Sequence, residues 1–251
     1  MAAPLLRLTT AKREALRVLA DYFCLNARMA AELLGVSERA VQAHYQRLIE
    51  AQFVYAKSYE SETYEKGALP KAYGLTDSGV SIAFKEGFAT DSTKTFKGHA
   101  LSTIEHELMI SRFHLELAKL AEQKQWDLRW RQRDLDKKEV RPDGLFRING
   151  NNFFLEIERA RLGNYRDGRP GVIRKLDAYW KYYDSTGCEK DFTFRKFRVV
   201  TVMRTPARVE TLINSLTAEG LDKATFWVSS EADLFSFSTP KSSVSFDALI
   251  H

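Results

Sequence analysis

The chain has 251 residues, 44% of them hydrophobic and 12% aromatic, enough to bury a sizeable core and to support two domains. Its formal net charge is +5 and its isoelectric point is near 9.1, a mild surplus that excludes a basic tail and permits a nucleic-acid partner without requiring one. Cys24 and Cys188 form no CxxC pair, no run reaches transmembrane length, and Met1–Leu6 lacks both a charged start and a long apolar stretch. A structural zinc site, a membrane span and a signal peptide are therefore not expected, and a reducing cytoplasmic location is.

Thr10 is placed to cap a helix from about Ala11 to Cys24, with Ala15, Leu16, Val18, Leu19, Tyr22 and Phe23 as its apolar stripe. A short helix over roughly Ala27–Leu34 stops at Gly35, and Ser37 caps a third whose Val41, Tyr45, Leu48 and Ile49 face inwards. Helix, glycine-containing turn, helix is the pattern of a helix-turn-helix. The outward positions of the third helix include Arg39, Gln42, Gln46 and Arg47, side chains able to read base edges or clamp phosphates. Phe53–Tyr59 and Lys71–Thr76 then read as two strands flanking a polar tip, Glu60–Pro70. That is the outline of a wing, with Lys57, Lys66 and Lys71 near a phosphate backbone. The alternative is a three-helix packing module with no DNA role. Residues 87–99 are polar and uneven and read as a linker, so the first domain is taken as 1–98 and the second as 99–251.

The second part opens with the longest helical pattern, Leu101 to about Gln123, which carries His106 and Glu107 near its start. A strand follows over Asp127–Arg133. Two more, Val140–Ile148 and Asn152–Arg159, are joined by Asn149-Gly150, a strong hairpin signal. Helix Val172–Asp184, strand Phe197–Met203, helix Pro206–Ala218 and strand Thr225–Ser229 complete an α/β (α+β) core with a mixed sheet. Along the second hairpin strand, Phe154, Glu156 and Glu158 share one face, and Asp143 sits at the strand before it. Carboxylates that close repel and stay protonated unless a cation stands between them, and hard divalent ions suit such an oxygen-rich corner. The alternative is a solvated strand face whose acids meet the abundant arginines. The five histidines form neither His-x-His nor a zinc-binding HExxH helix.

Pro142-Asp143, twelve intervening residues, then Glu156-Ile157-Glu158, set between a long helix and another helix, resembles the PD-(D/E)xK nuclease superfamily. With a winged helix in front, the chain resembles the replication-relaxation proteins, and more specifically the MOBC-type relaxases of mobilisable plasmids. The resemblance implies an N-terminal winged helix-turn-helix followed by a restriction-endonuclease-like domain. It implies a metal-dependent single-strand nick at a plasmid origin of transfer, the step that starts conjugative mobilisation. Mg²⁺ or Mn²⁺ would be held by Asp143, Glu156 and Glu158. Because Glu158 occupies the superfamily's lysine position, Lys175 on the next helix is either a migrated catalytic lysine or a solvated surface residue. Glu107 resembles the extra acid that some members contribute, and its neighbour His106 is a supporting group or a core histidine. Basic residues around the corner, among them Arg161 and Arg166 in an arginine-bearing loop, could hold DNA. Tyr179, Tyr182 and Tyr183 raise the question of a covalent intermediate, against packing or a stacking platform for single strands. The implied partners are origin-of-transfer DNA, an accessory mobilisation protein and a type IV coupling protein. Two other readings stand beside this one: a non-catalytic DNA-binding regulator of plasmid replication or transcription that keeps a nuclease-like fold, and a restriction-type double-strand endonuclease.

Overall fold

Ala15, Leu16, Val18, Leu19 and Ala20 bury one face of the first helix, α1 (Thr10–Asp21), as the apolar spacing requires. The computed structural model describes residues 8–59, 69–90, 93, 95–96, 100–132, 135, 139–159, 165–166, 169–221, 223–240 and 243–245. The chain divides into two compact units, Met1–Leu115 and Glu116–His251. Among the described residues no helix is long and apolar enough to cross a membrane.

In the first unit α1 is followed by β1 (Leu25–Asn26), α2 (Ala27–Leu34), α3 (Glu38–Glu50), β2 (Val54–Ser58), β3 (Lys71–Leu75) and α4 (Asp77–Lys85). Thr10 lies inside α1 rather than capping it; the N-cap is Thr9, which makes no side-chain cap bond. The helix also ends at Asp21, short of the expected Cys24, because the chain extends there into β1, which pairs with β3. Local chemistry fixes the helix-turn-helix. The Asn26 side chain accepts from Met29 N–H at 2.9 Å, and Ser37 Oγ accepts from Ala40 N–H at 3.3 Å. Between the two helices Gly35 takes the left-handed conformation (φ 63°) that ends α2. The three strands form an antiparallel sheet in the order β1-β3-β2. The geometry is that of a winged helix-turn-helix, although most of the expected wing tip, including Lys66, lies outside the described residues.

Within the stretch read as a linker, the described residues Ala89, Thr93 and Phe96 are buried. Phe96 is buried, donates its N–H to Leu75 O at 2.8 Å, and lies so close over Gly74 that a Cβ there would stand 2.4 Å from the Phe96 Cβ. The long helix α5 (Leu101–Lys124) begins in this unit. Its Ile104, Leu108 and Leu115 join the first unit's core, and Ser111 Oγ donates to Cys24 O at 3.0 Å. The two units therefore part within α5, whereas the sequence boundary at 98/99 precedes that helix.

The second unit contains β4 (Leu128–Arg131), β5 (Gly144–Ile148), β6 (Asn151–Glu158), β7 (Tyr165–Arg166), β8 (Arg169–Pro170), α6 (Gly171–Asp184), α7 (Gly187–Phe192), β9 (Arg198–Met203), α8 (Pro206–Ala218), β10 (Phe226–Ser230), β11 (Asp233–Ser238) and β12 (Ser243–Ser245). Seven strands form one mixed sheet in the order β12-β11-β10-β9-β6-β5-β4. The pairs β6–β9 and β9–β10 are parallel and the others antiparallel. Asn149 (φ 47°) and Gly150 (φ 88°) make the tight turn between β5 and β6. The central strands are buried on both faces, as parallel strands usually are. On one face Phe154, Val199, Met203, Phe226 and Val228 meet Val172, Ile173, Leu176 and Tyr179 of α6 and Leu212 and Leu216 of α8. On the other, stacked and tilted rings run from Trp130 through Phe146 and Phe153 to Trp227 and Phe237.

Candidate active site

The hairpin strands β5 and β6 bring Asp143 to Glu156. Asp143 N–H donates to Leu155 O at 3.0 Å, which continues the ladder one residue beyond β5. Its carboxylate Oδ2 accepts from Ile157 N–H at 2.7 Å, so the acid is pinned against β6 on either side of Glu156. Glu156 itself is 2% exposed, a carboxyl group set among the apolar side chains of a central strand. Two residues of α6 reach it. Tyr179 donates its hydroxyl to Glu156 Oε1 at 2.5 Å, and the Lys175 ammonium forms an ion pair with Oε2. They lie four residues apart on one helix face, as their spacing predicts.

Burial and then the Asp143 charge push the Glu156 carboxyl up to about 8, against the opposing pull of Lys175 and Tyr179. For Lys175 burial works downward, but the charges of Glu156 and Asp143 outweigh it and the ammonium is held above its usual range. Glu158, partly buried and next along the same strand face, adds its charge at Lys175. Among the described residues no three His, Cys, Asp or Glu side chains are grouped as metal ligands. Asp143, Glu156 and Glu158 thus do not close into the expected three-carboxylate cage, because Lys175 and Tyr179 occupy the oxygens of Glu156. Two adjacent carboxylates with a third acid nearby and one ammonium among them leave the corner negatively charged. A Mg²⁺ or Mn²⁺ shared by Asp143 and Glu156 would have to displace the Lys175 ammonium from Glu156 Oε2.

Glu107 belongs to the first unit, where its charge adds to burial in raising the Cys24 thiol well above its usual range. Tyr179 and Tyr182 are fully buried, with Tyr182 bonded through its hydroxyl to Asp191 at 2.8 Å. Neither can serve as a stacking platform, and Tyr179 holds Glu156 instead of standing open as a nucleophile. Its bond to Glu156 was not foreseen; the signal was its spacing of four from Lys175. Arg159, directly after β6, pairs with Glu231 at 3.3 Å. Arg161 and the side chain of Arg166 lie outside what the structure describes.

On α3, Arg39, Gln42, Gln46 and Arg47 are all exposed, opposite the buried Val41, Tyr45 and Leu48. Gln46 and Arg47 both contact Glu50, at 3.3 Å each. Lys71 is exposed at the start of β3, and Lys57 is half-buried on β2, one step along the ladder from it.

The replication-relaxation family matches residues 16–195 of the chain. The chain belongs to this family. That match takes in α3, the wing strands and all four residues of the corner, Asp143, Glu156, Glu158 and Lys175. No curated protein matches this replication-relaxation chain. Solved structures similar to it include RV1404 from Mycobacterium tuberculosis, 19% identical, with 47% of this chain and 61% of that one covered and a TM-score of 0.26. The chain thus spans less than two thirds of that protein. A MepR–DNA complex from S. aureus is 17% identical over 47% of this chain and 81% of that one, with a TM-score of 0.28. The apo form of MarR from E. coli is 16% identical over 47% and 76%, also at 0.28.

Proposed function

We propose that this replication-relaxation protein binds DNA through α3 and the β2–β3 wing and nicks one strand at the Asp143–Glu156 corner, as a relaxase acting at a plasmid origin of transfer. The observation that carries this reading is the pairing of Lys175 with Glu156: the lysine missing from the strand position of Glu158 is supplied to the same carboxylate by α6. A Mg²⁺ or Mn²⁺ held by Asp143 and Glu156 would supply positive charge for the phosphate oxygens and the leaving 3′-oxygen. The Ile157 N–H fixes the Asp143 carboxylate, Tyr179 fixes that of Glu156, and Lys175 donates to a phosphate oxygen. Glu158, beside Lys175, orients the attacking group. At the other end of the chain, exposed Gln42, Gln46 and Arg47 read base edges while Lys57 and Lys71 meet phosphates.

The test is a supercoiled plasmid carrying the cognate origin, incubated with and without Mg²⁺ or Mn²⁺. Metal-dependent nicked circles from the wild type, lost in Asp143→Asn with origin binding kept, support the enzyme. One observation favours a second reading, a DNA-binding regulator without catalysis: Lys175 neutralises Glu156 with no metal required. Unchanged plasmid topology together with a band shift would select that reading.

A further inference from the structure

Strand β9 is apolar at every buried position but one. Val199, Val200, Val202 and Met203 are fully buried, and Thr201 is fully buried among them. Its hydroxyl Oγ1 has no hydrogen-bond partner among the described residues. Valine has nearly the same shape and would fill the site without burying an unbonded hydroxyl, which is destabilising. Stability alone therefore does not explain the threonine.

Register shows what lies beside it. Thr201 is the Cα partner of Glu156 in the parallel β6–β9 pair, and such partners project to the same face about 5 Å apart. It is the face on which Phe154, Val199 and Met203 meet α6, and from which Lys175 and Tyr179 reach Glu156. The partners of Glu156 differ in their freedom. The Lys175 side chain is 38% exposed, whereas that of Glu156 is 3% exposed. If the ammonium swings away, the buried carboxylate keeps Tyr179 alone.

We propose that Thr201 is a positioning residue for Glu156: its hydroxyl hydrogen-bonds the carboxyl group when the Lys175 ammonium leaves it for a DNA phosphate. A single rotation about χ1 turns the hydroxyl, and β-branched side chains hold few alternative rotamers, so the exchange has two defined positions. The proposal rests on the nicking reading only for the destination of Lys175; the exchange itself is a property of the protein without DNA.

The experiment compares wild type, Thr201→Val and Thr201→Ser. Acetylation of Lys175 by acetic anhydride, followed by mass spectrometry on the DNA-free protein, reports how often the ammonium leaves Glu156. Thr201→Val should slow it about tenfold, the factor expected for one lost buried hydrogen bond, and Thr201→Ser should restore it. The thermal midpoint of Thr201→Val should rise, because an unbonded buried hydroxyl has gone. Plasmid nicking should fall about tenfold in turnover with origin affinity unchanged. Labelling of Lys175 at the wild-type rate in Thr201→Val overturns the proposal. A wild type that never nicks, with labelling still slowed in Thr201→Val, removes the nuclease reading and leaves the role of Thr201 standing.

Discussion

Replacing Lys175 by alanine should destabilise the second unit, and the loss should depend on pH. Deleting one partner of a buried ion pair typically costs about 3–5 kcal/mol. Here the lysine side chain is 38% exposed, so water screens part of the pair, and Tyr179 stays bonded to Glu156. Halving the figure for that screening leaves about 1.5–2.5 kcal/mol under alkaline conditions. The sign follows from Glu156. Its folded carboxyl is raised from 4.5 to about 8, and Lys175 is one of the groups opposing a further rise. Below about pH 4.5 it carries its proton whether folded or unfolded, so the variant loses little there. The unfolded chain sheds this proton near pH 4.5 and the wild-type fold near pH 8, so above about pH 8 the folded variant must keep a proton that the folded wild type releases, and the deficit grows to its full size. Urea midpoints at about pH 5 and about pH 9 for wild type, Lys175→Ala, Lys175→Met and Lys175→Ala/Glu156→Gln make the comparison. Lys175→Met should share the alkaline loss, and the double variant should recover most of it. An equal deficit at both pH values, or no recovery in the double variant, would refute the electrostatic account of the corner.

Asp143→Ala should lower stability by about 1–2 kcal/mol because Ile157 N–H loses its acceptor, whereas Asp143→Asn should not; both should abolish nicking, read by urea midpoint and plasmid assay. Affinity of the DNA-free protein for Mg²⁺ should climb as pH rises through about 8, where Glu156 gives up its proton, and an affinity that stays flat over that interval, read by calorimetry, would count against Glu156 as a metal holder. Arg47→Ala should weaken origin binding by about 1–3 kcal/mol if the arginine reads a base, measured by gel shift, and unchanged specificity would remove α3 as the reader. Phe96→Ala should cost about 3–5 kcal/mol by emptying the space over Gly74, and an unaltered thermal midpoint would mean that the segment is the loose linker its composition suggests.

Patterns confined to one element were legible in the sequence. The span Ala27–Leu34 is legible from its glycine stop, and the β5–β6 hairpin from Asn149-Gly150; helix Pro206–Ala218 takes the bounds expected of it. Elements that exist only through a distant partner were not. Strand β1 is two residues long and forms because β3 pairs with it, and Phe96 is buried because Gly74 leaves room above the wing sheet. The strands β11 and β12 extend the sheet with serines at several positions, a composition that carries no strand signal. The corner divides the same way. The spacing of Asp143 and Glu156 could be read along the chain, but the identity of the Glu156 partners depended on how α6 crosses the sheet, and Lys175 had been left between site and surface. Thr201 carried no sequence signal, since a threonine within a valine-rich strand is ordinary until its register against Glu156 is known.

The same atoms serve both functional readings. A strand whose only task is to hold a sheet together would carry an apolar residue at position 156, as β6 does at Phe153, Phe154, Leu155 and Ile157. Replacing a buried ion pair by well-packed apolar side chains is often neutral or stabilising, so Glu156 with Lys175 is weak as a device for stability. Around it the chain keeps a buried tyrosine hydroxyl bonded to the acid, a second carboxylate fixed to the backbone of the next residue, and an unbonded buried threonine at the same register. The tyrosine and threonine hydroxyls are costly to bury, and none of the three groups improves the packing of the sheet. Their convergence at one carboxylate is what a site tuned for reaction requires, since a buried acid, a movable ammonium and fixed donors hold charge where it is needed. A regulator that had kept only the shape of the domain would gain stability from each apolar replacement here. That asymmetry marks Glu156 as a residue kept for something other than the stability of the sheet.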